Sequence, residues 1–161
     1  MKKILTVLLI VYSLFLTACP KETAVRKAAK ASYEMSGITL DVINATAKAY
    51  DAGIISLAAK DRLAAAEKKI AAGGKHFNEL LDGYIKTTAG NPTTDQLAFL
   101  NKIFSEEITT PFLAILEELK LLSPTQVDVL FKAVGVLRGA ILVISGVFAD
   151  AGFPDRRLNY A

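Results

Sequence analysis

The chain has 161 residues, of which 52% are apolar and 22% charged, with one Cys, one His, no Trp and a formal net charge of +3. The apolar share excludes a disordered chain, the lone Cys excludes a disulfide-stapled module and a multi-thiol metal site, and the weak charge gives nucleic acid no electrostatic footing. A single domain with a sizeable core is expected at this length.

From the N-terminus, Lys2 and Lys3 precede an apolar run from Ile4 to Leu16, broken only by Thr6, Tyr12 and Ser13. A spanning helix needs about 20 apolar residues, so this shorter run reads as the apolar region of an export signal. It ends in Leu16-Thr17-Ala18-Cys19, which resembles the bacterial lipobox, the recognition site of lipoprotein signal peptidase. The resemblance covers only about the first 19 residues. It implies cleavage between Ala18 and Cys19, a diacylglyceryl thioether on Cys19 and acylation of its new amino group. The expected location is therefore a bacterial membrane, reached by export and held by lipid. Pro20 stands where some lipoproteins carry an inner-membrane retention Asp, which implies the periplasmic side of the outer membrane in a host that has one.

Loss of Lys2 and Lys3 with residues 1–18 leaves 17 Lys and Arg against 16 Asp and Glu, so the mature chain is near neutral. Electrostatic partners must then be read from local clusters. Lys21, the last residue of the short tether 19–21, and Arg26, Lys27 and Lys30 beyond it form a basic cluster opposed only by Glu22. On an anionic membrane each could contribute on the order of 1 kcal/mol.

Four helices are predicted over about 22–52, 57–88, 94–121 and 124–150, and no alternating run supports a strand. The first carries an apolar stripe at three- and four-residue spacing, from Ala28 and Ala31 through Met35 and Val42 to Ala49, and stops at Gly53. The second opens on Ser56 as N-cap and keeps Leu63, Ile70, Phe77 and Tyr84 at seven-residue intervals. Gly73-Gly74 falls inside that register. The unbroken phase argues for one helix through the pair, with a hairpin at the glycines as the alternative, and Gly90-Asn91-Pro92 ends the segment.

Thr93 and Gln96 have capping-box spacing at the head of the third helix, and Pro111 predicts a kink over Thr109 to Phe112. Ser123-Pro124-Thr125-Gln126 reads as cap, first helical position and box for the fourth helix, which ends before Gly152 and a non-helical, mobile tail over 152–161. Residues 24–72 hold 15 Ala and only 10 Leu, Ile, Val or Phe, whereas residues 93–149 hold 5 Ala and 26 of the bulky four. The bulky half should form the core and the Ala-rich helices lie close against it. The expected fold is all-α, a four-helix up-and-down bundle, since short connections favour antiparallel neighbours.

Several features stand out as candidate sites. Gly135 and Gly139 have small-xxx-small spacing, and Gly73-Gly74 is the expected partner for their close packing, in a fourth helix expected to be buried on most of its circumference. Glu106-Glu107 and Glu117-Glu118 recur about three turns apart, too far for paired acid and base work, and read as a solvated face or a docking face for a basic partner. His76 stands without the spacing of a metal or catalytic motif, so no catalytic residue, metal or cofactor is assigned. The leading expectation is a non-catalytic binding or structural module at the cell envelope, contacting the membrane through the lipid on Cys19 and another envelope protein. The alternatives are an apolar-ligand carrier with a cavity lined by Phe104, Phe112, Phe131 and Phe148, and a membrane-active, phage-type exclusion factor using the fourth helix.

Overall fold

The structure, a computed structural model, describes residues 23–123 and 127–155. It is an all-α bundle of α1 (Ala24–Asp51), α2 (Leu57–Thr88), α3 (94–119) and α4 (Asp128–Asp150). α3 is assembled from Thr94–Ile103, a π-helical stretch Phe104–Thr109, and Thr110–Leu119. Side-chain pairs show the directions. Tyr33 meets Asp82 while Thr46 meets Glu67, so α2 runs opposite to α1, and the pairs His76–Glu107 and Arg62–Glu118 turn α3 back again. α4 starts beside the end of α1, where Val127 and Leu130 share a small groove with Ala45 and Ala49. The topology is up-and-down.

Local chemistry explains most helix ends. Thr23 and Ser56 accept N–H bonds from Arg26 and Ala59 as N-caps, and Thr93 with Gln96 closes a reciprocal capping box. α1 stops in a Schellman motif: Gly53, at φ +69°, donates to the Tyr50 carbonyl and Ile54 donates to that of Ala49. The same motif ends α4, where Gly152 donates to Ala149 and Phe153 to Phe148. Phe153 thereby packs against the core, so the start of the expected mobile tail is docked.

Two features depart from the expected helices. The disturbance announced by Pro111 includes a π-helical stretch, Phe104–Thr109, just before it. In an α-helix the Glu107 carbonyl would receive the N–H of residue 111, which proline lacks, and would collide with its ring. The wider turn relieves this, with the Thr110 N–H donating to the Ser105 carbonyl. α4 begins at Asp128, because Val127 leaves helical geometry at φ −121° and ψ 33° to bury its side chain. The capping role expected of Pro124 to Gln126 lies outside the described residues.

α2 continues through Gly73-Gly74 without a break. Its stripe, Leu63, Ile70 and Phe77, is fully buried, as are Leu100, Phe104, Ile108, Phe112 and Ile115 of α3. The centre is an aromatic triad of Phe77, Phe104 and Phe148, with ring centroids 5.5, 5.8 and 6.1 Å apart. The Ala stripe of α1 packs on α2 and α4, and α2 packs on α3, whereas α3 and α4 stand farther apart with bulky side chains between them.

Candidate functional site

The glycines separate into two groups with different roles. A Cβ on Gly73 would lie 2.6 Å from the Glu107 carbonyl oxygen and 2.7 Å from the Glu107 Cβ, so α2 meets α3 with no room for a side chain there. The carbonyl that Pro111 leaves without its α-helical donor is the one that faces Gly73. Gly74 has room for a methyl group against Met35 Cε, at 3.4 Å. Gly135 and Gly139 pack on neither glycine. A Cβ on either would meet nothing within 4 Å, because both are exposed, Gly139 on the outward side of α4 and Gly135 at its edge toward α3. The expected pairing of Gly73-Gly74 with Gly135 and Gly139 is therefore corrected.

That outward side is the most unusual surface of the described residues. α4 buries Leu130, Val134, Leu137, Ile141, Ile144 and Phe148 on one side, and exposes Val136 (58%), Leu142 (40%) and Val143 (57%) on the other. It is thus a one-sided helix, where burial round most of the circumference was expected. By length and composition it could cross a membrane.

Between the C-terminal end of α3 and the first turns of α4 lies an open groove of about 430 Å³, walled by Leu116, Leu119, Leu122, Phe131 and Val134. Of the four phenylalanines expected to line a cavity, only Phe131 does so. Phe104, Phe112 and Phe148 are fully buried in close packing, because they fill the space between α3 and α4 that would otherwise be empty.

Arg26, Lys27 and Lys30 project into solvent from the first two turns of α1 and form no ion pair among the described residues. No acidic residue occupies that first turn, so Arg26 and Lys27 oppose the helix dipole, which favours anions there by about 0.3–1 kcal/mol. Ala18, Cys19 and Lys21 lie outside the described residues.

The carboxylates of α3 are mostly spoken for within the bundle. Glu118 is buried and accepts a bidentate pair from Arg62 at 2.7 and 2.8 Å, Glu107 lies 2.9 Å from His76 Nδ1, and Glu117 accepts from Lys120. The expected solvated face describes Glu106 and Glu117, which are exposed, whereas packing of α3 on α2 buries Glu118 against Arg62 and brings the half-buried Glu107 to His76. Among the described residues no cluster of His, Cys, Asp and Glu could hold a metal ion.

Glu67 was missed by sequence reasoning. It is 2% exposed in the α1–α2 interface, where Thr46 donates to its Oε1 at 2.5 Å. The signal was available: a lone Glu follows Ala64-Ala65-Ala66, four residues after Leu63 on the buried stripe. Burial raises its pKa, opposed by the Thr46 bond, whereas the Arg62 hydrogen bonds hold Glu118 below its usual range despite its burial. The two signs are opposite. The contribution of Glu67 is favourable below the unfolded pKa and is lost as pH rises through its raised folded value. That of Glu118 is present above the unfolded value and is lost as pH falls through its depressed one. Glu67→Gln should therefore raise Tm at neutral pH by a few degrees, while Glu118→Gln should lower it there and flatten the acid limb. Thermal melts from about pH 2 to about pH 8 check both, and equal pH profiles for the two variants would contradict the assignment.

No protein-family model, curated protein or solved structure matches the chain.

Proposed function

We propose that the protein is a lipid-anchored, non-catalytic binding module of the bacterial envelope. The observation that carries this reading is the outward face of α4, on which Val136, Leu142 and Val143 are exposed and Arg138 is the only charge from Ala133 to Ala149. A water-soluble bundle gains nothing from exposing such a face, and contiguous apolar surface of this kind commonly marks an interaction site. Gly139 and Gly146 leave open space along the same face, which allows the backbone of a partner helix to approach closely. The unpaired Arg26, Lys27 and Lys30, a few residues beyond the lipobox Cys19, support a tether that holds this end of the bundle at anionic headgroups.

The test is made in native membranes. Palmitate labelling is expected on the unaltered chain and lost in Cys19→Ser. A photocrosslinker at position 143 is expected to give a discrete adduct with an envelope protein, weakened strongly by Val136→Lys on the same face. Equal palmitate labelling of Cys19→Ser would remove the anchor, and a crosslinker that captures only lipid would shift the reading toward a membrane-active helix.

A further inference from the structure

We propose that the groove between α3 and α4 binds a single-chain anionic amphiphile, with its acyl chain along Leu119, Phe131 and Val134 and its headgroup at Arg138. The site goes beyond the α4 docking face. It lies at the edge of α4 turned toward α3, where Arg138 borders both surfaces, and it does not depend on what the opposite edge, Val136 and Val143, contacts.

The groove exists because bulky side chains hold α3 and α4 apart. The triad and Phe112 fill the gap at mid-height, but toward the end of α3 the wall residues Leu116, Leu122 and Phe131 remain only half-buried. Gly135 lines the opening, and its missing side chain leaves the groove unobstructed. The volume of about 430 Å³ falls in the range of about 300–1,000 Å³ found for small-molecule sites.

Charge selects the ligand class. The groove is lined by two cations, Lys120 and Arg138, and by no carboxylate. Lys120 already donates to Glu117 at 2.7 Å, whereas Arg138 has no ion pair or hydrogen bond among the described residues. An apolar trough with an unpaired guanidinium at its edge matches a carboxylate or phosphate joined to one alkyl chain. The groove between α2 and α3 differs in kind, with Arg62 and Lys69 balanced by Glu106 and Glu118. Position adds a constraint on delivery. Roughly 20 helical residues of α1, about 30 Å at 1.5 Å each, separate the groove from the tethered end. The ligand would therefore enter as a monomer from the aqueous side.

The test uses the full-length protein in its native membrane with photoactivatable probes: a long-chain fatty acid, the corresponding fatty alcohol and a single-chain lysophospholipid. The fatty acid is expected to label the segment from Leu116 to Arg138. Gly135→Leu should abolish that labelling, while its Tm stays at or above that of the unaltered chain because the new side chain enters open space. Arg138→Gln should reduce labelling by the acid about tenfold and leave the alcohol unchanged, as loss of one charge-assisted contact requires. Labelling by the lysophospholipid in place of the free acid would identify a phosphate headgroup as the natural source. Labelling that maps elsewhere, survives Gly135→Leu, or falls equally for acid and alcohol in Arg138→Gln would overturn the proposal.

Discussion

Gly73→Ala is expected to destabilise the bundle by about 1–3 kcal/mol, although alanine is the better helix former by roughly 1 kcal/mol. The added methyl would sit 2.6 Å from the Glu107 carbonyl oxygen, and the obstruction is backbone that no rotamer change can remove. α2 and α3 would have to separate, loosening Phe77 from Phe104 across the same interface. Gly74→Ala, one residue away, meets only the flexible end of Met35 at 3.4 Å and should be close to neutral. Gly139→Ala should be neutral or stabilising by up to about 1 kcal/mol, since a methyl there meets open space. Urea unfolding of the three variants measures the order directly. A stable Gly73→Ala beside a destabilised Gly139→Ala would mean that α2 packs on α4 after all.

Phe104→Ala should cost about 3–5 kcal/mol, a large fraction of the roughly 5–15 kcal/mol that holds a domain of this size. Phe104 opens the π-helical stretch and is fully buried between Phe77 and Phe148. Removing it leaves a cavity lined from three helices that cannot close without moving α3. Phe99, one turn earlier and 44% exposed, provides the contrast: Phe99→Ala should change stability far less. Midpoints of denaturant unfolding, with the slope unchanged, would report the difference. A small loss for Phe104→Ala would show that the triad is not the centre of the core.

How far each element could be read in advance follows from the range of the interaction that sets it. The caps at Ser56 and Thr93, the stop at Gly53 and the buried stripe of α2 each depend on residues within one or two turns, so spacing alone revealed them. Pro111 announced a disturbance for the same reason. Its form, a π-helical stretch whose neighbouring Glu107 carbonyl faces Gly73, required a second helix in place. The start of α4 at Asp128 follows the non-helical Val127, which is buried beside Ala45 and Ala49 of α1, a contact that no local spacing announces.

The candidate surfaces divide in the same way. The basic residues that follow Cys19 and the apolar excess of the fourth helix are plain in the sequence, being matters of composition. The exposure of Val136, Leu142 and Val143 is not, because apolar residues stand on both sides of α4 and composition alone does not say which are covered. Glu118 read as one member of a solvated pair until Arg62, far away in the chain, bound it.

By itself, then, the sequence determined the all-α class, the helix count, most helix ends and the lipobox-like segment, since local hydrogen bonding and one-helix periodicity suffice for these. Only the tertiary structure decided which glycine is a helix contact and which is open surface, where the groove lies, and that Glu67 is buried. Those depend on the rotation of each helix about its axis, which is set by packing among all four helices and is not encoded in any one of them.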